Sequence, residues 1–320
     1  MRSPRAALYL RLAVSLGLIA LVIYLFRDRW REVATNLLRA HPWLLALGVL
    51  LFLIAMVINA LKWWVLLRAQ EIAIPFRAVL NYTFVGFFFN NLLPANIGGD
   101  VMRGVGVAYH TERAAQAAAS VVLDRIIGLS AYMSVAALAS GITVFVTGRS
   151  DLQVLVLVAV VATAALAVVA AVLLSRRVRA LVGRVIAATP LRPLHAIWES
   201  LSTAFEAYRY RYRSLLLAYG IGLGGILSTS WVNFVLSESL GGGISLLHIL
   251  LFTPLTALVL IIPISIGGLG LNQVAYPFFY GLVGTPAPHA LALSLFIQAT
   301  QVLCSLPGGL LWLRWRREKR

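Results

Sequence analysis

The sequence predicts an all-α protein, a polytopic bundle of membrane-spanning helices with two broken, re-entrant helical hairpins that enter the membrane from opposite sides. Of its 320 residues, 61% are hydrophobic and only 12% are charged, whereas soluble domains carry about 25% charged residues. Five runs of about 20 residues contain no Asp, Glu, Lys or Arg, and this length is enough for a helix to cross the hydrocarbon core. A short pattern rich in Pro and Gly occurs twice and interrupts two further apolar runs. These observations exclude a soluble enzyme and an ordinary DNA-binding domain.

Six apolar stretches are long enough to be full crossings. They cover residues 6–26, 42–67, 114–146, 152–174, 214–236 and 289–313. The first follows a basic segment, as the apolar part of a secretory signal does, but no A-x-A-like cleavage site comes after it. We therefore expect it to be retained as a span. Six crossings would put both termini on the same side of the membrane.

The formal net charge of +16 is explained by membrane topology. The basic residues cluster at the ends of apolar runs: near the N-terminus, at residues 176–213, and at the C-terminus. By the positive-inside rule, these regions face the cytoplasm of an inner (plasma) membrane. Four arginines between residues 27 and 39 fall on the other side and fit this orientation less well. Nucleic acid is not an expected partner, and residues 176–213 are expected to lie along the cytoplasmic surface as amphipathic helix.

Two shorter apolar runs, residues 76–93 and 245–262, each end at a proline. Both continue into the pattern P-x-[NS]-I-G-G, at residues 94–99 and 263–268. Three crossings separate the two copies, so the second would enter the membrane from the side opposite to the first. Paired Gly/Pro-interrupted segments of this kind indicate the substrate site of inverted-repeat transporters. The alternative is a chance match, because Gly and Pro are common in membrane helices.

The first interruption is followed by a charged pair at helical spacing. Asp100 and Arg103 would share one face of a helix that starts near Gly98. Free N–H groups and the positive dipole at such a helix start favour an anion such as a phosphate. The alternative is an ordinary capping turn at the membrane surface.

A second charged pair, Asp124 and Arg125, lies deep in an apolar run. A charge near mid-bilayer costs at least ~2.5–3.5 kcal/mol, so it requires a partner or a function. Because adjacent helical residues point about 100° apart, each is expected to reach a different neighbour, such as Asp100, Arg103 or the broken backbone. The alternative is an ion-pair network with a structural role only.

Other signals do not support chemistry of their own. Residues 220–225 match G-x-G-x-x-G but lie inside an uncharged span, where small residues serve helix packing. The sequence contains no H-E-x-x-H, Walker A or G-x-S-x-G motif, and its one cysteine, Cys304, lies in the last apolar run. No catalytic residue, metal ligand or cofactor is assigned.

Several motifs, in order, resemble the lysylphosphatidylglycerol synthase transmembrane-domain family, also called flippase-like. The matching segments are Asn91-Leu92-Leu93-Pro94, then Gly98-Gly99-Asp100 with Arg103, then residues 120–125 with Gly128, and finally residues 263–270. The resemblance covers most of the chain and implies an integral inner-membrane protein whose relatives move lipids, including aminoacylated phospholipids, between leaflets. Some relatives carry an additional soluble aminoacyl-transfer domain, which is not expected here. In the family the second motif commonly closes with a basic and an acidic residue, where this chain has Asn272 and Gln273, so the substrate is expected to differ.

We therefore expect one flippase-like domain over residues 1–320, with halves of about 1–174 and 175–320. Its expected partner is a membrane lipid bound through the phosphate of its head group. Two alternatives stay open: a membrane-embedded transferase with Asp100 or Asp124 as base, and a scaffold for a partner enzyme. The residues expected to bind substrate are Asn91, Pro94, Asn96, Gly98, Gly99, Asp100, Arg103, Asp124, Arg125, Pro263, Ser265, Gly267, Gly268, Gly270, Asn272 and Gln273.

Overall fold

The computed structural model describes residues 4–92, 98–190, 192–262 and 265–317, and side chains from residue 15 to 315 within those ranges. Pro94, Asn96 and Pro263 lie outside the described residues. The described part of the chain forms helices and no β-strand. The helices are α1 Pro4–Leu25, α2 Trp30–Leu38, α3 Pro42–Ala69, α4 Phe76–Leu92, α5 Gly98–Thr111, α6 Ala114–Thr147, α7 Gln153–Leu174, α8 Arg176–Ala188, α9 His195–Arg209, α10 Tyr212–Ser239, α11 Leu246–Val259, α12 Leu271–Gly281 and α13 Ala287–Arg317.

The expected all-α polytopic bundle is confirmed. Five helical segments of the described chain are long and apolar enough to cross a membrane: Pro42–Ala69, Ala114–Thr147, Ser150–Leu174, Tyr212–Ser239 and Ala287–Trp315. The first expected span coincides with α1, in which Ser15–Leu25 is apolar but shorter. Helix α7 is apolar around its whole circumference yet mostly exposed, which is typical of a helix that faces lipid.

Helices α3 and α10 pack antiparallel and define the two ends of the bundle. At one end, Arg211 pairs with Glu71 at 2.6 Å, and Gln70 donates to the carbonyl of Ala204 in α9. We call this the basic end, because α8, α9 and their arginines lie there. At the other end, the backbone N–H of His41 donates to the carbonyl of Ser239 at 2.9 Å. We call this the opposite end.

The first broken hairpin consists of α4 and α5 and enters from the basic end. Just before α4, the carbonyl of Ile74 accepts from the indole of Trp64, near the end of α3. Just after α5, Arg113 donates to the carbonyl of Glu71. At ~1.5 Å per residue, the 17 residues of α4 and the 14 of α5 are shorter than the ~30 Å hydrocarbon core. Neither helix crosses the membrane alone.

The second broken hairpin consists of α11 and α12 and enters from the opposite end. Helix α11 follows the end of α10, and α12 leads into α13, whose first turns pack with Val33 of α2 and Leu240. Helices α11 and α12 of this hairpin have 14 and 11 residues. In the segment between them Gly267, Gly268 and Gly270 have φ of 57°, 76° and 80°, which only glycine adopts without strain.

The second break lies against the end of α4 inside the bundle. A Cβ added to Gly267 would lie 3.0 Å from the carbonyl oxygen of Asn91, the penultimate residue of α4. The Asn91 amide also donates to Ser305 of α13 at 2.9 Å. Non-helical backbone at membrane depth requires protein or water around it, and here α4 lies against the second break.

Candidate functional site

Five charged side chains from three helices come together beside the two breaks. They are Lys62 of α3, Asp100 and Arg103 of α5, and Asp124 and Arg125 of α6. We call them the charged cluster. The expected i,i+3 pair is confirmed, since Arg103 Nη2 lies 2.9 Å from Asp100 Oδ1. The expectation that Asp124 and Arg125 reach different neighbours is also confirmed.

Asp124 is the most deeply buried carboxylate of the cluster. Its Oδ1 lies 3.2 Å from the ammonium of Lys62, and its Oδ2 lies 2.8 Å from Arg103 Nη2. Lys62 also donates to the Asp124 backbone carbonyl at 3.3 Å. The side chains of Lys62 and Asp124 are only 7% and 6% exposed. Two cations thus hold one carboxylate away from bulk water.

Asp100 joins the two arginines. Its Oδ1 accepts from Arg103 Nε at 3.0 Å, and its Oδ2 contacts Arg125 Nε. The Asp100 side chain is 13% exposed, whereas that of Arg125 is 40% exposed. Arg125 is therefore the member of the cluster that a ligand can approach most easily.

Arg103 is oriented by an aromatic ring as well as by the carboxylates. Its guanidinium carbon lies 4.8 Å from the ring centroid of Trp63, a favourable cation–π distance. The Trp63 indole in turn donates to the hydroxyl of Ser120 at 3.1 Å. This chain of contacts fixes the guanidinium plane between Asp100 and Asp124.

The charges of the cluster do not cancel. Three cations face two carboxylates, so the cluster carries a formal charge of +1 when every group is ionised. Asp124 lies ~15 Å along α6 from its start, and a charge inside the hydrocarbon core costs several kcal/mol unless it is compensated. A surplus positive charge among buried side chains favours an anionic ligand.

The start of α5 differs from the expectation in one respect. The backbone N–H of Gly99, expected to be free for an anion, donates to Oδ1 of Asn90 at 2.9 Å. A Cβ added to Gly99 would lie 2.1 Å from the carbonyl oxygen of Gly86. The glycine therefore allows α4 and α5 to approach closely. Its N–H is already paired with the Asn90 side chain of α4 and is not free for a ligand.

A cavity of about 490 Å³ lies against the cluster, and we call it the central cavity. Nine of the residues expected to bind substrate line it: Asn91, Gly99, Asp100, Arg103, Asp124, Arg125, Gly267, Gly268 and Asn272. The end of α4, the start of α5 and the second break all contribute, which agrees with the expectation that the two hairpins meet at one site. The central cavity is large enough for a head group.

Four predicted residues within the described chain do not line the central cavity: Gly98, Ser265, Gly270 and Gln273. The side chain of Gln273 accepts from the backbone N–H of Gly270 at 2.8 Å, so it caps α12. A Cβ added to Gly270 would lie 2.5 Å from Leu18 of α1, so this glycine serves packing. Ser265 is buried in the second break.

Lys62 is the principal residue that the sequence analysis missed. It is one of two lysines in the chain and lies in an apolar span. Its position near the end of that span resembles that of an interfacial lysine, whose ammonium extends to water. Three uncharged residues inside long apolar runs also line the central cavity: Asn59, Tyr132 and Gln301. Nothing in the sequence around them indicated a role in the site.

The described residues contain no group of three or more His, Cys, Asp or Glu side chains that could hold a metal ion.

A family model described as the lysylphosphatidylglycerol synthase TM region matches residues 8–308. The chain belongs to this family. All five charged residues of the cluster and both breaks lie within the part of the chain that matches the lysylphosphatidylglycerol synthase transmembrane family. The chain is also similar to a protein from Pyrococcus horikoshii, the UPF0104 membrane protein PH1989, at 23% identity over 96% of this chain and 97% of that protein. No solved structure matches the chain significantly.

Proposed function

We propose that this protein moves a phosphate-bearing lipid, a phospholipid or a polyprenyl-linked lipid, from one leaflet of the membrane to the other. We also propose that it resides in the inner membrane, with the basic end and both termini in the cytoplasm. The arginines of α8, α9 and the following turn support this orientation through the positive-inside rule. In this proposal, residues 1–320 work as one translocation domain.

One observation carries the proposal: a charged cluster with a surplus positive charge borders a cavity at the point where two oppositely directed broken hairpins meet. Helix breaks at a shared midplane site are typical of transporters. An anionic group fits the surplus charge, and a lipid head group can enter such a site while its chains stay in the bilayer.

Arg125 provides the first contact in this account, because its side chain is the most exposed of the cluster. A lipid phosphate replaces the Asp100 carboxylate as the partner of Arg125, and one anion is exchanged for another without exposing a bare charge. Charge-assisted bonds between guanidinium and phosphate are short and strong. Asp100 keeps Arg103 as its partner, so it can return to Arg125 when the lipid leaves.

Arg103, Lys62 and Asp124 supply the fixed part of the site. Arg103 is held by two carboxylates and by the Trp63 ring, and it adds to the positive potential at the cavity wall. Asp124 prevents the two inner cations from repelling each other. The site is thereby preorganised for an anion at little reorganisation cost.

The sequence contains no Walker A motif. Movement against a gradient would therefore draw on an ion gradient or on removal of the moved lipid.

Translocation is better supported than the two alternatives. In a membrane-embedded transferase, Asp100 or Asp124 would have to accept a proton, yet each carboxylate is already shared between two cations. A scaffold for a partner enzyme has no need of compensated charges beside a central cavity. The geometry therefore favours a lipid carrier over either alternative.

Leaflet exchange in liposomes tests the proposal. The purified protein is reconstituted with a panel of fluorescent lipids: phosphatidylglycerol, phosphatidic acid, a polyprenyl phosphate and, as a control without phosphate, diacylglycerol bearing a neutral polar cap. Dithionite quenching then reports the fraction of each lipid that reaches the outer leaflet. We expect faster exchange of at least one phosphate-bearing lipid than in protein-free liposomes, and no protein-dependent exchange of the control. Equal acceleration of all lipids would contradict a phosphate-selective site.

A further inference from the structure

A second, smaller cavity adjoins the central cavity. It has a volume of about 120 Å³, and the two cavities share Tyr132, Ala257, Leu260, Asn272 and Gln301 as lining residues. It lies further towards the opposite end, because its wall includes Phe52 in the first half of α3 and Asn233 near the end of α10. The central cavity instead borders Lys62, near the basic end of α3.

The wall of the second cavity is polar but uncharged. Of the described residues that line it, none is Asp, Glu, Lys, Arg or His. Three threonines, Thr229, Thr253 and Thr256, line it. The hydroxyls of Thr229 and Thr256 donate to carbonyls of their own helices, those of Gly225 and Phe252. A hydroxyl that donates in this way keeps its oxygen lone pairs as acceptors. The second cavity thus offers neutral hydrogen-bonding groups, whereas the adjoining central cavity is bordered by the charged cluster.

The Thr253 hydroxyl is buried against that of Tyr280. Thr253 is only 5% exposed, and the Tyr280 hydroxyl lies beside its Oγ1. A ligand hydroxyl in the second cavity would therefore pair with the acceptors of Thr229 and Thr256, which line the same cavity.

The far wall of the second cavity is closed. The Tyr276 hydroxyl donates to Oδ1 of Asn233 at 2.8 Å, and Tyr276 packs on the fully buried ring of Tyr280 at 5.5 Å between centroids. A group in this cavity would therefore be held between the charged cluster and a packed aromatic wall.

We propose that the second cavity binds an uncharged, hydroxyl-bearing part of the lipid head group, such as a glycerol or a sugar, while the phosphate lies against the charged cluster. This inference rests on the proposed function and adds a substrate class to it. The volume suits a small group, since a water molecule takes up ~30 Å³ of liquid. A cationic head group is disfavoured, because the adjoining cluster is positive and the cavity wall has no carboxylate to compensate a second positive charge. The preferred substrate is therefore a polyol phospholipid and not an aminoacylated one.

Binding of water-soluble head groups tests this site without requiring transport. Isothermal calorimetry on the full chain in detergent compares glycerophosphoglycerol, glycerophosphoethanolamine and inorganic phosphate. We expect glycerophosphoglycerol to bind about tenfold more tightly than inorganic phosphate, as one or two extra hydrogen bonds would give. Glycerophosphoethanolamine should bind more weakly than glycerophosphoglycerol. Equal affinity for the three compounds would overturn the proposal.

Thr229→Val provides the matched variant, because it keeps the shape of the side chain and removes the hydroxyl. We expect it to reduce the ratio of glycerophosphoglycerol to phosphate affinity about five- to tenfold. If this variant does not yield a monodisperse protein, Thr256→Val tests the same wall. A wild-type ratio in the folded variant would overturn the assignment of the second cavity.

The outcome separates this inference from the proposed function. If lipids cross the bilayer but Thr229→Val leaves the head-group ratio unchanged, translocation stands and the polyol site falls. If no lipid crosses but the head-group ratio is found and depends on Thr229, the polyol site stands and translocation falls.

Discussion

The ammonium of Lys62 lies 3.2 Å from a carboxylate oxygen of Asp124, and both side chains are more than nine-tenths buried. This contact ties α3 to α6 at the centre of the bundle. Gly128, one turn after Asp124, leaves the space that the ammonium occupies, since a Cβ there would lie 2.8 Å from Nζ. The charged cluster is thus part of the packing of the protein as well as a binding surface.

Lys62→Met should lower the stability of the protein. The change leaves Asp124 buried with Arg103 as its remaining cation, and breaking a buried ion pair by removing one partner costs about 3 kcal/mol or more. Thermal unfolding of the purified protein in detergent should show a clearly lower Tm than the wild type. The double variant Lys62→Met, Asp124→Asn should recover part of the loss. An unchanged Tm for the single variant would show that this contact contributes nothing to stability.

Gly99→Ala should destabilise the first hairpin, because the new Cβ would lie 2.1 Å from the backbone oxygen of Gly86. Backbone atoms cannot rotate away, so α4 and α5 would have to separate, at a cost of several kcal/mol. Gly141→Ala in α6 is the matched control, since nothing lies within 4 Å of its Cβ position. The control should be neutral or stabilising by up to about 1 kcal/mol. Equal Tm values for the two variants would contradict the close approach of α4 and α5.

Cysteines at the two hairpin tips should form a disulfide. In a Cys304→Ser background, Asn91→Cys and Gly267→Cys place their thiols on segments in direct contact, since a Cβ at Gly267 lies 3.2 Å from the Cα of Asn91. Mild oxidation followed by proteolysis and mass spectrometry should detect the cross-link. Asn91→Cys combined with Gly220→Cys should not form one, because nothing lies within 4 Å of the Gly220 Cβ position. Absence of the cross-link in a double variant that unfolds at the wild-type Tm would show that the end of α4 does not lie against Gly267.

Much of the fold could be predicted from the sequence because apolar length and charge position have few solutions in a bilayer. The repeated P-x-[NS]-I-G-G pattern predicted two breaks, and the odd number of crossings between them predicted their opposite directions. The spacing of Asp100 and Arg103 predicted their ion pair, which is local. Asp124 and Arg125 were recognised because charges inside an apolar run are expensive.

The rest of the site depends on packing between distant segments, which a single sequence does not reveal. Lys62 and Asp124 lie 62 positions apart in the sequence, and only the packing of α3 on α6 brings them together. Gln273, which follows the second motif, caps its own helix, and Gly270 packs on α1. A repeated pattern therefore identified the segments of the site but not which side chains face the cavity.

The central claim is that a lipid phosphate passes the charged cluster through Arg125. The most direct measurement is leaflet exchange of a fluorescent phospholipid in liposomes that contain wild-type protein, Arg125→Ala or Arg149→Ala. Arg149 is the control, because it pairs with Asp151 at an exposed turn between α6 and α7, away from the cluster. We expect Arg125→Ala to slow protein-dependent exchange at least about tenfold, as loss of a charge-assisted contact would, and Arg149→Ala to exchange at the wild-type rate. Wild-type exchange by an equal amount of folded Arg125→Ala would contradict the account.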